Sequence, residues 1–173
     1  MRIFVKNKSF IRSQFYHDET FFVNNNVINI RNSDDKYRLP VVNNCLRLIF
    51  DDITKAEDGF VLFDTEHANK IIHFIESIDQ SKDLYVNCAA GISRSGAVGY
   101  CLNEYFNKYL DNNVHDYELF FKNNSQIIPN PYVKKVLYNA LFGQPDYSNM
   151  FKEVTSDDIN KCIKICFWSN KNV

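Results

Sequence analysis

The chain carries short apolar runs in its first half and longer stretches with a helical period in its second half. Short apolar runs predict four β-strands, at residues 1–5, 27–30, 45–50 and 84–86. Polar, Asn-rich connections are expected between the first three strands. The spacing of apolar residues over 65–78 predicts a helix with one buried face, with Thr65 as its N-cap. Three later stretches predict further helices, at residues 97–109, 114–123 and 131–142.

This order of elements predicts an α/β fold with a central, mostly parallel sheet flanked by helices. Such folds place their ligands in loops at the carboxyl ends of the strands. We expect a single domain over residues 1–143, because Gly143 suits the end of the last helix and no internal repeat or Pro-rich or Ser-rich linker is present. Residues 144–173 are expected to form a C-terminal extension of unknown role, whose clearest pattern is the apolar, strand-like stretch 162–168.

Composition limits the classes of function. The chain has 173 residues, 45% hydrophobic and 24% charged, which is typical of a globular domain. Its formal net charge of −1 gives no general electrostatic reason to expect nucleic acid or an anionic membrane as partner. No apolar run reaches the ~20 residues of a membrane span. The oligomeric state is left open by these data.

The cysteines predict a reduced, cytoplasmic protein without a metal centre. They are odd in number, none is paired in C-x-x-C spacing and no secretory signal precedes them. Cys162 and Cys166 have no nearby histidine or second cysteine pair that would complete a zinc site. His67 and His73 are six positions apart and so lie on different faces of the predicted helix. Cys101 is interpreted as a buried core thiol, although a redox partner for another cysteine is the alternative.

The segment after the fourth strand carries the candidate chemistry. It runs Cys88, Ala89, Ala90, Gly91, Ile92, Ser93, Arg94, Ser95. Small residues let the backbone turn so that successive N–H groups point inward, and the following helix adds the positive end of its dipole. Arg94 can bind two phosphate oxygens with its planar guanidinium group. The pattern therefore predicts a phosphate-binding loop around a cysteine.

The same surroundings predict that Cys88 is a nucleophile. Helix N-termini and neighbouring cations lower the pKa of a cysteine thiol from ~8.5 by several units. A thiolate at this point can attack phosphorus and form a cysteinyl-phosphate, while Arg94 and the loop amides stabilise the developing charge. Ser95 is placed to donate a hydrogen bond to the sulfur as it leaves. This chemistry requires no cofactor.

Residues 88–95 resemble the C-x-x-G-x-x-R-S signature of the dual-specificity branch of the cysteine-based protein tyrosine phosphatases. Residues 48–52 are similar to the strand that leads to that family's general-acid loop, and residues 128–131 are similar to its Pro-Asn segment. The resemblance extends over about residues 1–142 and implies a dual-specificity-phosphatase-like fold. It also implies a general-acid aspartate on a mobile loop some thirty-odd positions before the cysteine.

Three aspartates fit that spacing. Asp52, Asp51 and Asp58 lie 36, 37 and 30 positions before Cys88. We favour Asp52 because it follows the predicted strand most directly, with Asp51 second and Asp58 third. A turn or helix cap is the alternative role for either of the adjacent pair.

One position departs from the family pattern. The family has histidine immediately before the nucleophile, where this chain has Asn87. Because asparagine carries no charge, we predict an active enzyme with a less acidic Cys88 than the family has. Asn130, in the Pro-Asn-Pro segment, is expected either to order the active-site loops or simply to begin a helix.

The expected substrate is a phosphorylated protein or peptide. The alanines at positions 89 and 90 disfavour phosphoinositides, because similar lipid phosphatases place lysines inside the loop. Phosphotyrosine is the first candidate, with phosphoserine and phosphothreonine as further ones. The alternatives are an inactive module that binds phosphopeptides, and an RNA 5′-phosphatase of the same superfamily, which the charge balance disfavours.

Overall fold

The computed structural model describes residues 1–36, 42 and 44–143. Four strands form one sheet in the order β1-β4-β2-β3. They are β1 (Ile3–Asn7), β2 (Asn25–Arg31), β3 (Cys45–Ile49) and β4 (Asp83–Cys88). Every neighbouring pair is parallel. The prediction of an α/β fold with a mostly parallel sheet is therefore confirmed.

Helices precede, connect and follow the strands. They are α1 (Lys8–His17), α2 (Phe21–Asn24), α3 (Thr65–Ser77), α4 (Arg94–Asn103), α5 (Val114–Asn123) and α6 (Pro131–Phe142). A π-helix, Glu104–Leu110, continues α4. The helix predicted over 97–109 thus begins three residues earlier, at Arg94, and changes its hydrogen-bond pattern at Glu104.

The two faces of the sheet bury different side chains because successive residues of a strand point to opposite sides. One face forms the main core with α3, α4 and α6, and it includes Ile28, Leu84 and Val86. The other face packs Val27 and Tyr85 against an aromatic cluster from α1 and α2. Each fully buried aliphatic side chain contributes roughly 1.5–3 kcal/mol relative to an exposed one. Helices therefore flank both faces, as predicted.

Two local predictions were wrong. The connection between the first two strands is not a polar loop, since it contains α1 and α2. Asn7 caps α1 by accepting a hydrogen bond from the Phe10 N–H. Thr65 is not the N-cap of α3, because Asp64 takes that position and accepts from the His67 N–H at 2.9 Å. A carboxylate competes better for this position because it also favours the positive end of the helix dipole.

The outer edge of β1 is covered by side chains rather than by another strand. Asn124 accepts from the Val5 N–H at 2.6 Å and donates to the Ile3 carbonyl at 3.0 Å. Gln126 donates to the Val5 carbonyl at 3.2 Å. An uncovered edge would expose unpaired backbone groups to other chains. These contacts hold β1 in place beside β4, the strand that leads to Cys88.

Several predictions concern residues that the structure does not describe. The extension 144–173, its strand-like stretch 162–168, and Cys162 with Cys166 all lie beyond the described residues, so the domain boundary stays a prediction. Within residues 1–36, 42 and 44–143, no helix combines the length and apolar character needed to cross a bilayer. In the same ranges no three His, Cys, Asp or Glu side chains are grouped as metal ligands would be.

Candidate active site

The loop between β4 and α4 depends on one glycine. Gly91 has φ of 73°, in the left-handed region that favours glycine. A Cβ atom at this position would lie 2.6 Å from the Asn7 nitrogen and 2.6 Å from the Lys6 carbonyl carbon, both backbone atoms. Any side chain would therefore push the loop off the end of β1. The glycine predicted from the motif thus has both a conformational and a steric reason.

Cys88 is the last residue of β4 and is 2% exposed. Its sulfur lies 3.0 Å from the Ser95 hydroxyl oxygen, in the first turn of α4. Burial alone would raise the pKa of the thiol. Hydrogen bonds from the hydroxyl and N–H of Ser95, and from the N–H groups of Ile92 and Gly91, outweigh burial, so that the pKa of Cys88 falls below its ordinary value. The geometry thus favours a thiolate at the base of the loop.

This lowered pKa gives a measurable reactivity. We expect the alkylation rate of Cys88 by iodoacetamide to reach half its maximum at a pH below the ~8.5 of an ordinary cysteine. Burial raises the pKa of Cys45 and of Cys101 to about 12, so neither should react in this range. Peptide mapping by mass spectrometry assigns each modified thiol. Ser95→Ala should move the half-point upward, and an unshifted half-point for Cys88 in the wild type would contradict the proposed environment.

Arg94 begins α4 and is 3% exposed. Its Nη1 donates to the Phe50 carbonyl oxygen at 2.7 Å, which fixes the guanidinium group to the end of β3. Within the described part of the chain, its buried Nε has no hydrogen-bond partner. Leaving such a donor unsatisfied is costly, so the site is built to receive an acceptor. An anion in the loop would supply it.

Asp52, in the segment after β3, is hydrogen-bonded both to the loop after β4 and to the residue before α6. Its Oδ1 accepts from the Ser93 hydroxyl at 2.8 Å and from the Asn130 side-chain amide at 2.8 Å. Asn130 also accepts from the N–H groups of Tyr132 and Val133 at the start of α6. Asn130 therefore both caps α6 and holds the Asp52 loop, so its two expected roles are not alternatives. The carboxyl group stays exposed to solvent.

Asp51 has a different environment from its neighbour. It is 5% exposed and accepts from the N–H groups of Ser33 at 3.1 Å and Val61 at 2.8 Å. Burial acts to raise the pKa of Asp51, but the hydrogen bonds, aided by the positive charge of Arg94, lower it overall. Asp51 is thus a buried carboxylate that joins three chain segments. Asp58 lies in an exposed turn and, among the described residues, makes no hydrogen bond to residues 88–95.

Asn87 points to the other face of the sheet from Cys88. Its side-chain oxygen accepts from the Asn29 amide at 3.1 Å, across the β2–β4 pairing. Both residues are buried, and in the described residues the Asn87 amide nitrogen has no partner. The hydrogen bonds that lower the Cys88 pKa come from Ser95 and the loop amides instead. Whether Cys88 is less acidic than in the family stays a prediction.

The remaining predicted loop residues form the rim of the site. Ala89 and Ala90 are exposed, and the Ala89 carbonyl accepts from the Lys8 N–H at 3.3 Å. Sequence reasoning included Ser93 only as part of the phosphate cradle and did not foresee its bond to Asp52. No local pattern could indicate that contact, because 41 residues separate the partners.

Comparison with known proteins gives a limited result. No protein-family model and no curated protein matches the chain. Among solved structures, PTPMT1 in complex with PI(5)P is 16% identical, covers 80% of this chain and 89% of its own, and has a TM-score of 0.49. Tk-PTP in its active form is 16% identical, covers 81% and 91%, and has a TM-score of 0.49.

A viral protein is similar over the same extent. OH1 from the Orf virus, a tyrosine phosphatase that displays triple substrate specificity, is 12% identical, covers 81% of this chain and 79% of its own, and has a TM-score of 0.43. With identities below 25% and TM-scores below 0.5, these likenesses support no residue role in this chain. Its function has to be inferred from the geometry around Cys88.

Proposed function

We propose that the chain is a cysteine-dependent protein phosphatase that hydrolyses phosphotyrosine monoesters, with phosphoserine and phosphothreonine as further candidate substrates. One observation carries the proposal. A single strand–loop–helix turn holds the Cys88 sulfur, with a lowered pKa, together with the buried Arg94, whose Nε finds no partner among the residues that the structure describes. A thiolate beside a buried guanidinium group that can bind an anion is what nucleophilic attack on a phosphate ester requires.

The first step transfers the phosphoryl group to sulfur. The Cys88 thiolate attacks phosphorus, a sulfur–phosphorus bond forms and the bond to the ester oxygen breaks. Arg94 and the loop amides stabilise the equatorial oxygens, where negative charge accumulates. Asp52, in its protonated form, gives its proton to the leaving oxygen. The products of this step are the free tyrosine hydroxyl and a cysteinyl-phosphate.

The second step releases inorganic phosphate. Asp52, now a carboxylate, accepts a proton from a water molecule that attacks phosphorus. The sulfur–phosphorus bond breaks and the thiolate is restored, stabilised by the Ser95 hydroxyl at 3.0 Å. The water supplies the oxygen that the phosphate gains. The proton taken from water leaves Asp52 in its protonated form for the next cycle.

The assignment of the acid to Asp52 is supported by the contrast with Asp51. Asp51 has its oxygens committed to backbone donors, and its lowered pKa keeps it ionised. Asp52 is exposed, and the bonds from Ser93 and Asn130 leave its second oxygen for a substrate. A residue that has to carry a proton and reach an ester oxygen fits the second environment better.

Exchange of each aspartate for asparagine separates the two roles. Asp52→Asn keeps the oxygen that binds Ser93 and Asn130, so we expect an unchanged Tm and a fall in kcat of about a hundredfold on phosphotyrosine. The fall should be smaller on an aryl phosphate whose leaving group needs no proton. Asp51→Asn replaces one carboxylate oxygen with an amide that cannot accept from the Ser33 or Val61 N–H, so it should lower the free energy of unfolding by about 1 kcal/mol. Equal effects of both variants on kcat and Tm would contradict the assignment.

The alternative function is a module that binds phosphopeptides without turnover. Release of inorganic phosphate from a phosphotyrosine peptide distinguishes the two directly. We expect release to continue over many turnovers per protein molecule, and a rapid quench should trap phosphate covalently on Cys88. Binding of the peptide without phosphate release would refute the enzyme and favour the binding module.

A further inference from the structure

An open cleft of about 800 Å³ lies at the opposite end of the sheet from Cys88. It is bounded by the end of α1, by α2, and by Asn44 and Lys82, which directly precede β3 and β4. Because neighbouring strands are parallel, these positions mark the amino ends of the strands, whereas Cys88 lies at the carboxyl end of β4. The six residues of β4, at ~3.3 Å each, separate the two sites by roughly 20 Å. The cleft is therefore distinct from the phosphate-binding loop.

Part of the cleft lining is apolar. Phe15, Phe22 and Val42 line the cleft and also pack in the aromatic cluster on the second face of the sheet. The rings of Phe15 and Phe22 meet edge to face, with their centroids 6.1 Å apart. Val23 lines the same cleft and is 64% exposed. These side chains thus form one apolar surface that is anchored in the domain and open to another molecule.

The charged part of the lining is mainly acidic. Asp18 and Glu19, between α1 and α2, supply two carboxylates, and Lys82 supplies one ammonium group. The Lys82 Nζ donates to the Val23 carbonyl at 3.0 Å, which holds the ammonium group against the backbone of α2. Glu19 is exposed to solvent. A ligand that carries cations beside apolar groups complements this lining in both charge and polarity.

Hydrogen bonds hold the walls of the cleft in place. The Asp18 N–H donates to the Gln14 carbonyl at 2.9 Å and so closes the end of α1. The Asp18 Oδ1 accepts from the Thr20 N–H at 3.0 Å and from the Thr20 hydroxyl at 2.7 Å. The Asn44 side-chain amide donates to the Phe22 carbonyl at 3.3 Å, which joins α2 to the residue before β3. A surface that is ordered before binding loses less of its contact energy to entropy.

We infer that this cleft docks a partner protein through a short segment in which aliphatic or aromatic residues stand beside lysine or arginine. The apolar side chains of the segment pack against Phe22 and Val23, and its cations pair with Asp18 and Glu19. An acidic segment is disfavoured by the same carboxylates, because like charges at an interface reduce affinity. Since the cleft is distinct from the loop after β4, the segment can bind while the phosphate-binding loop is occupied.

The test selects a phage-displayed peptide library on the full chain and then titrates a synthetic peptide of the enriched sequence by calorimetry. We expect the enriched peptides to carry Leu, Phe or Met beside Lys or Arg. Val23→Ser should weaken the Kd of this peptide about fivefold, because apolar surface stays in water. Glu19→Lys should weaken it about threefold to tenfold, because an attraction becomes a repulsion. Added salt should weaken binding to the wild type more than to Glu19→Lys.

Val114→Ser and Glu118→Lys are the matched controls, since both residues are exposed on α5, away from the cleft lining. They should leave the Kd unchanged, and so should inorganic phosphate, the probe for the loop. The docking site would be overturned by a selection that enriches no sequence or only acidic ones, by competition from phosphate, or by equal effects of the cleft and control variants. A dimer in gel filtration that Val23→Ser abolishes would also overturn it, because the occupant would then be a second copy. Peptide binding requires no turnover, so the result is independent of the proposed phosphatase activity.

Discussion

Cys88→Ser is expected to abolish phosphate release, with kcat falling by more than about ten-thousandfold. A serine hydroxyl remains protonated at neutral pH, and the hydrogen bonds that lower the Cys88 pKa cannot ionise it. Arg94 and the loop amides do not depend on the sulfur, so phosphopeptide binding should survive. The measurement pairs phosphate release with the Kd of a phosphotyrosine peptide.

Cys45→Ser is the control for this variant. Cys45 lies on β3, and burial raises its pKa to about 12, which leaves it without a thiolate at neutral pH. Turnover should therefore match the wild type. Activity that persists in Cys88→Ser would exclude a cysteinyl-phosphate. If Cys88→Ser loses activity and also has a much lower Tm, Cys88 would have a purely structural role instead.

Arg94→Lys is expected to have the second largest effect, a loss of about a thousandfold in kcat/KM. A lysine ammonium group can replace the bond to the Phe50 carbonyl, but it cannot also present Nε and a second nitrogen to two phosphate oxygens. Because charge on those oxygens grows in the transition state, kcat should fall as well as affinity. Steady-state kinetics on a phosphotyrosine peptide measure both.

Arg2→Lys provides the comparison for this exchange. Arg2 is exposed and forms a two-bond ion pair with Asp83 at the start of β4. Exposed ion pairs contribute little to stability, so the variant should keep full activity. A similar loss in Arg2→Lys and Arg94→Lys would show that a general effect of the exchange is responsible. A wild-type rate in Arg94→Lys would remove the guanidinium group from the mechanism.

The loop could be predicted from the sequence because its chemistry is local. Cys88, Gly91 and Arg94 follow one another within a single turn, and the strand before them and helix after them have clear patterns. α5 and α6 were also predicted at their observed bounds, helped by Pro131 at the start of α6 and Gly143 after it. Local sequence determines such features, because capping and turn residues act over a few positions.

Other features depend on contacts between distant segments. Asp52 binds Asn130 across 78 residues, and no spacing rule indicates which of two adjacent aspartates turns inward. α1 was missed because its core-facing apolar residues, Phe10, Ile11 and Phe15, span little more than one helical turn and so give only a short period. The π-helix after α4 was missed because its hydrogen-bond shift leaves no signature in residue type. Tertiary packing decides these points.

The covered edge of β1 ties the strand to the nucleophile loop. Gln126 donates to the carbonyls of both Val5 and Gly91, and Gly91 rests on the backbone at Asn7. β1 therefore supports the backbone of the phosphate-binding loop. A substitution that loosens β1, such as loss of the Asn124 or Gln126 side chain, would therefore disturb the loop while the rest of the sheet stays paired. Such a variant would lose the proposed phosphatase activity before the domain unfolds.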